Sequence, residues 1–214
     1  MLHKTLYKVK EIFYTLQGEG THSGRPAVFC RFSGCNLWSG REQDRSEAIC
    51  QFCDTDFRGT DGTNGGSYTA ESLASKIISL WPSDHKSQVF VVCTGGEPAL
   101  QLDDTLVETL HKNDIYLAIE TNGTLPIPKN IDWVCVSPKA QTKIVIETGD
   151  ELKLVYPQVE NHPKDFEHMT FSHYYLQPLD GDDLHENTRK CIEYCMKNPL
   201  WKLSLQTHKI LGID

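Results

Sequence analysis

The sequence predicts an α/β fold with a largely parallel sheet closed only in part, an incomplete βα barrel. Three observations predict it. Short runs rich in Val, Ile, Tyr and Phe alternate with amphipathic segments along most of the chain. Five successive runs are followed by polar, ligand-capable residues, as at the carboxyl ends of parallel strands. The 214 residues suit one domain, 1–214, and fall short of the roughly 250 of a complete eight-stranded barrel.

Taken in chain order, strands are expected near Val28–Phe32, Gln88–Cys93, Ile115–Ile119, Trp133–Val136, Leu152–Val155, Tyr174–Leu176 and Leu203–Leu205. An irregular stretch rich in Gly, Asp, Ser and Thr, Ser33–Ser67, follows the first. Thr69 can then cap a helix carrying Leu73, Ile77, Ile78 and Trp81 on one stripe, closed by Pro82. Asp103 or Asp104 can open a second helix with Leu106 and Leu110 one turn apart. Asp182 or Asp183 can open a third that runs through Ile192 and Met196. Strands joined by such helices are parallel.

Composition excludes several classes of function. With 21 basic against 29 acidic residues the chain carries a net charge of -8, and no basic stripe for duplex nucleic acid is visible. The longest apolar runs, 89–93 and 115–119, are far short of the roughly 20 residues of a membrane-spanning helix. The first ten residues contain no apolar signal-peptide core, so a cytoplasmic address is expected. In that compartment eight cysteines invite a metal or redox reading rather than a disulfide framework.

Five of the eight have structural explanations. Cys30, Cys93 and Cys135 alternate with apolar residues in strands, and Cys191 and Cys195 stand one helical turn apart. Cys35, Cys50 and Cys53 form C-x14-C-x2-C inside the irregular stretch, where flexible backbone lets three thiolates converge. Structural zinc takes four protein ligands, and the nearest fourth candidate, His22, lies elsewhere. Three thiolates suit a 4Fe-4S cluster with one iron open to an exogenous ligand, although spacing alone leaves zinc as a rival.

The five strand ends read Thr94-Gly95-Gly96-Glu97-Pro98, Glu120-Thr121-Asn122-Gly123, Ser137-Pro138-Lys139, Gln177-Pro178-Leu179-Asp180 and Gln206-Thr207-His208. Together they point to a site rimmed by strand ends. The glycines at 95 and 96 let backbone approach a ligand, and Glu97 is expected to accept from an ammonium group. No Gly-Lys-Ser/Thr ending follows, so this is not a phosphate loop.

A three-cysteine segment on the first βα unit followed by a Gly-Gly-Glu-Pro strand end resembles the radical S-adenosylmethionine (SAM) superfamily. Within it, Tyr14-Thr15-Leu16-Gln17-Gly18-Glu19-Gly20, Arg31-Phe32-Ser33-Gly34-Cys35-Asn36-Leu37-Trp38 and Cys53-Asp54-Thr55 resemble the 7-carboxy-7-deazaguanine synthase family. The likeness runs from Leu16 to the C-terminus. The superfamily's common spacing is C-x3-C-x2-C; the insertion 36–49 departs from it and resembles the expanded cluster loop of a subset of this family.

The resemblance implies an incomplete radical SAM barrel that contracts 6-carboxy-5,6,7,8-tetrahydropterin to 7-carboxy-7-deazaguanine with loss of ammonia, in queuosine and 7-deazapurine biosynthesis. It implies a 4Fe-4S cluster on Cys35, Cys50 and Cys53 that cleaves S-adenosylmethionine to a 5'-deoxyadenosyl radical, with magnesium on Thr55. The cofactor pocket would comprise Phe52, Cys53, Asp54, Gly96, Glu120, Asn122, Ser137, Pro138, Lys139, Gln177, Pro178, Leu179 and Asp180. Leu16, Gln17, Gly18, Glu19, Arg31, Thr94, His208 and the terminal carboxylate of Asp214 would hold the pterin. No protein side chain is expected to be catalytic beyond the cluster and the cofactor radical. A homodimer and a flavodoxin or ferredoxin-like electron donor are also implied. Two other readings are another radical SAM enzyme, such as a glycyl-radical activase, and a non-catalytic zinc-stabilised binding domain. The Gln-Gly-Glu-Gly element counts against the activase.

Overall fold

The computed structural model describes residues 5–82 and 87–213. Nine strands form one open sheet: β1 (Tyr7–Leu16), β2 (Pro26–Phe32), β3 (Gly66–Tyr68), β4 (Val89–Gly95), β5 (Ile115–Thr121), β6 (Trp133–Val136), β7 (Thr148–Tyr156), β8 (Thr170–Pro178) and β9 (Trp201–Leu203). Their order across the sheet is β3-β1-β2-β4-β5-β6-β7-β8-β9. From β2 through β9 every neighbour pairs in parallel, while β1 runs antiparallel to both β2 and β3. The expected partial barrel is therefore present, with an antiparallel edge added on one side.

Residues two apart share a face of a strand. Val28, Cys30 and Phe32 of β2, Val91 and Cys93 of β4, and Ile115, Leu117 and Ile119 of β5 face the helices and are essentially sealed from solvent. Helix α1 (Ala70–Leu80) covers them with Leu73, Ala74 and Ile77, and α2 (Asp104–Lys112) with Leu106, Val107 and Leu110. Each such side chain contributes roughly 1.5–3 kcal/mol by leaving water. A second cluster joins Leu152, Leu154 and Leu176 to Cys191 and Trp201 beneath α3 (Leu184–Lys197). The alternate residues Ala27, Phe90, Val92 and Ala118 pack together on the opposite, inner face.

Two of the three expected caps act as the sequence predicts, whereas Asp183 precedes α3 without a side-chain cap hydrogen bond. The Thr69 hydroxyl accepts from the Ser72 amide at 3.2 Å while the Thr69 amide donates to Ser72 Oγ at 2.9 Å. Asp103 accepts from the Leu106 amide at 2.9 Å and from the Tyr7 hydroxyl at 2.7 Å, tying α2 to β1.

Several expectations need correction. Strand β1 is absent from the sequence reading because Lys8, Lys10 and Glu11 interrupt its apolar residues, and a bulge between Val9 and Glu11 shifts its register. Strand β9 begins at Trp201, two residues before the expected 203–205, because Trp201, 2% exposed, enters the second core cluster. Ile78 of α1, and Ile192 and Met196 of α3, lie on solvent-facing sides. In α3 the buried face carries Asn187 and Cys191 instead, since the Asn187 amide donates to the Leu179 carbonyl at 2.9 Å. A short helix, α4 (Thr207–Leu211), follows β9.

Leu117 lies at the centre of the first cluster, fully buried. Leu117→Ala should lower unfolding free energy by about 2–5 kcal/mol. A denaturant midpoint equal to wild type would refute this placement of the core.

Candidate active site

The inner faces of the strands become polar towards their carboxyl ends. Two residues beyond Phe29 stands Arg31, beyond Val92 Thr94, and beyond Ala118 Glu120. These side chains line a cavity of about 440 Å³ that reaches from the loop after β1 to the cysteine loop. Five Lys or Arg and six Asp or Glu line it, close to charge balance although the chain as a whole is acidic.

The cavity gathers nearly all the residues singled out from the sequence. Leu16, Gln17, Gly18, Glu19, Arg31, Thr94 and His208 line it, as do Cys50, Phe52, Cys53, Asp54 and Thr55. So do Gly96, Glu120, Asn122, Ser137, Lys139, Gln177, Pro178, Leu179 and Asp180. Cys35 and Pro138 stand outside the lining; the Pro138 carbonyl instead accepts from Gln158 and Asn161, each at 3.4 Å. Asp214 lies outside the described residues.

The loop between β1 and β2 crosses the inner face of the sheet. Gly20 adopts a left-handed φ of +61°, and a β-carbon there would stand 1.9 Å from Glu151 Oε1, so only glycine permits the crossing. The crossing delivers Glu19 to Lys153 of β7, whose ammonium lies 2.6 Å from Glu19 Oε2 and 3.4 Å from Glu120 Oε1. Gln177 and Gln206 each donate to Glu19 Oε1 at 3.0 Å, and Gln17 donates to Glu120 at 2.9 Å. Burial would push the Glu19 carboxyl up. The Lys153 charge, hydrogen bonds from Lys153 and Gln206 and the charge of His208 outweigh it and hold it at about 2. Burial likewise works against a charged Lys153, yet Glu120 and Glu19 raise it above the usual lysine range.

Lys153 is absent from the sequence reading. Its trace was a pair of charges, Glu151 and Lys153, alternating with Leu152 and Leu154 inside a strand, the pattern of an inner polar face.

Two other expectations change. Glu97 is fully buried and does not line the cavity, so it is not the expected ammonium acceptor. Its carboxylate accepts from the Ala99 amide at 2.9 Å, the Thr121 hydroxyl at 2.7 Å and the Asn122 amide at 2.7 Å, clamping the ends of β4 and β5 together. The Gln177 amide group is likewise spent inside the protein, on Glu19 and on the Ser204 hydroxyl at 3.2 Å.

The three loop cysteines are unpaired thiols. Burial pushes the Cys35 and Cys50 thiols up. Gly96 makes room for the first: a β-carbon there would stand 2.1 Å from the Gly34 carbonyl oxygen and 2.9 Å from the Cys35 β-carbon. Among the described residues no three His, Cys, Asp or Glu side chains are gathered as round a single ion. A cluster asks for a different arrangement, since each thiolate takes its own iron, and two of the three thiols open on the cavity.

Across the cavity, Lys209 of α4 lies 2.5 Å from both Asp54 and Asp180, tying the C-terminal helix to the cysteine loop and the end of β8. Thr207 also donates to the Gly18 carbonyl through its amide, at 3.0 Å, and its hydroxyl, at 2.9 Å. Arg31 is met by Glu11 at 2.8 Å, and Lys139 donates to Ser137 Oγ at 2.7 Å.

A scan against protein-family models finds no match. Curated relatives match over almost the whole chain. A 7-carboxy-7-deazaguanine synthase from Burkholderia multivorans is 56% identical over 208 residues, covering 97% of this chain and 99% of the relative. Those of Bradyrhizobium diazoefficiens and Nitratidesulfovibrio vulgaris are 55% and 52% identical with the same coverage. The crystal structure of QueE from Escherichia coli superposes with a TM-score of 0.69 at 27% identity, covering 94% of this chain and 93% of that one. With identity above one half across the length of these relatives and the same architecture, the chain belongs to the 7-carboxy-7-deazaguanine synthase family.

Proposed function

We propose that this chain contracts 6-carboxy-5,6,7,8-tetrahydropterin to 7-carboxy-7-deazaguanine with loss of ammonia, as a radical SAM enzyme of queuosine biosynthesis. The observation that carries the reading is the single continuous cavity on which the cysteine loop, the strand ends and the Gln-Gly-Glu-Gly loop all open. Its volume, about 440 Å³, falls in the range of small-molecule sites. The zinc-domain and activase readings lose their footing with family membership.

When bound, the 4Fe-4S cluster and S-adenosylmethionine supply one-electron hydrogen-abstraction chemistry. The residues present fit that pair. Cys35, Cys50 and Cys53 would hold the cluster. Phe52, Asp54, Gly96, Asn122, Ser137, Lys139 and the 177–180 turn, with Gln177 acting through its backbone alone, would orient the cofactor, with Lys139 steadied on Ser137. Glu19, kept ionised by Lys153, would read the amidine edge of the pterin, while Arg31 and His208 meet its anionic side. Thr55 would offer a hydroxyl to magnesium, a hard cation that favours oxygen. Lys209, bridging Asp54 and Asp180, would hold the cysteine loop and the end of β8 together at the α4 end of the cavity.

We further propose a cytoplasmic homodimer that receives electrons from a flavodoxin or ferredoxin-like donor. Among the described residues no helix is long and apolar enough to cross a membrane.

The decisive experiment supplies anaerobically reconstituted protein with reductant, S-adenosylmethionine, magnesium and the carboxytetrahydropterin. Deazaguanine product is expected, and its absence would reject the substrate assignment. Cys50→Ala should abolish both cofactor cleavage and product; retained cleavage would remove Cys50 from the cluster. Thr55→Ala should chiefly weaken the response of turnover to added magnesium, and an unchanged magnesium titration would discard that ligand.

Lys153→Met leaves two partly buried carboxylates without their cation, with an expected cost of about 2–4 kcal/mol, below the full cost of breaking a fully buried pair, and much weaker pterin binding. Glu19 is depressed from its ordinary 4.5 to about 2, so the stability it gives is present above 4.5 and lost as pH falls towards 2. In the variant Glu19 takes up a proton at higher pH, and the stability gap to wild type should narrow from pH 7 towards pH 4. A gap that stays constant in denaturant titrations would show that the pair is not the cause.

A further inference from the structure

The fourteen residues between Cys35 and Cys50 are a built element rather than slack chain. Leu37 closes the loop at its base, its carbonyl accepting from the amides of Ile49 at 3.1 Å and Cys50 at 3.3 Å. Between them a 3-10 turn, Glu42–Glu47, carries Arg45. Its guanidinium carbon lies over the Trp38 ring, 4.1 Å from the ring centre, and Trp38 in turn packs edge-on against the buried Phe57. Glu42 holds Arg45 Nε at 2.8 Å, which fixes the plane of the fork.

So seated, Arg45 reaches back over the second and third cysteines. Nη1 donates to the Gln51 carbonyl at 2.8 Å and the Cys53 carbonyl at 3.0 Å. Residues 51–56 belong to no helix or strand and make no backbone-to-backbone hydrogen bond among the described residues, so side chains supply the contacts that fix this segment. The insertion therefore returns to the Cys50–Cys53 turn through Arg45, beside a single bond in the other direction from the Gln51 side-chain amide to the Ser46 carbonyl at 3.0 Å, and the same turn must present two thiols to one side.

We propose that Arg45 is a positioning residue for the cluster ligands: seated on Trp38, it caps the Gln51 and Cys53 carbonyls and holds the Cys50–Cys53 turn in its ligand-ready form. This rests on the cluster reading above and deepens it, giving the insertion a task. It also explains why arginine stands there. A lysine ammonium can also sit over a ring, but it lacks the fork that lets one group meet Glu42 through Nε and aim Nη1 at the two carbonyls.

The test compares wild type, Arg45→Met and Arg45→Lys, with Arg189→Met on exposed α3 as control, after anaerobic loading with ferrous iron and sulfide. Three readouts are taken: thermal melting of the protein before loading, the rate at which a chelator strips iron, and the paramagnetic resonance spectrum of the reduced cluster with and without S-adenosylmethionine. The expected result is iron loss about tenfold faster in Arg45→Met, the scale seen when outer partners of metal ligands are removed. A heterogeneous spectrum should accompany it, with melting before loading unchanged. Arg45→Lys should fall between, and Arg189→Met should match wild type. Wild-type retention and spectrum in Arg45→Met overturn the proposal. If Arg45→Met fails to fold, Arg45→Lys decides: intermediate retention supports the proposal and wild-type retention overturns it. Should wild type itself take up no iron, the cluster reading fails, a result separate from failure of the brace.

Discussion

A lysine ammonium buried on the inner face of a strand is the constraint on which the rest of the site depends. The Lys153 side chain is only 5% exposed, and an unpaired ammonium at that depth would cost several kcal/mol. Two carboxylates answer it, from different parts of the chain: Glu19 from the loop after β1 and Glu120 from the end of β5. The carboxylates in turn draw in the side-chain amides of Gln17, Gln177 and Gln206, while the Ser204 hydroxyl donates to Gln177 and accepts from the Gly20 amide. Five segments distant in sequence thus meet on one charge. The open sheet has no strand pairing between β1 and β9, and this network with the Thr207–Gly18 contacts closes the floor that a complete barrel would close with a ladder.

Most of the parallel sheet was legible because buried parallel strands are nearly continuous apolar runs, as in 89–93 and 115–119. What stayed hidden is charged residues whose neutralising partners come from far along the chain. Lys10 makes β1 look like an exposed segment, yet it is 8% exposed and paired with Asp56 at 2.8 Å and Asp61 at 2.9 Å, both supplied by the irregular loop. The exposed side of α3 was misread for the converse reason. Ile192 and Met196 carry the apolar surface in sequence, but the helix turns Asn187 and Cys191 inwards, where Asn187 satisfies the Leu179 carbonyl.

The candidate site divides along the same line. Position was readable, since each strand end flagged in the sequence contributes to one cavity. What each side chain is bonded to was not. Glu97 and Gln177 look like ligands for something foreign, and the structure spends both inside the protein, Glu97 on backbone amides and the Thr121 hydroxyl and Gln177 on the Glu19 carboxylate and the Ser204 hydroxyl. Lys209 looks like an ordinary surface lysine and bridges two carboxylates instead. A polar residue after a strand announces where a site lies; its hydrogen-bond partners, set by distant segments, decide whether it serves ligand or scaffold.

The charges of the cavity carry this one step further. An acidic protein that takes up an anionic pterin needs positive charge held locally, because nearby groups outweigh the net total. Most of its cations are already matched: Lys10, Lys153 and Lys209 each sit between two carboxylates. Arg31 differs, since Glu11 engages only Nε, and among the described residues the terminal nitrogens carry no hydrogen bond. A guanidinium offers five donors in a plane, and a carboxylate fits two of them side by side. Glu11 therefore fixes the fork without filling it, and the terminal nitrogens keep a planar two-donor face that opens on the cavity.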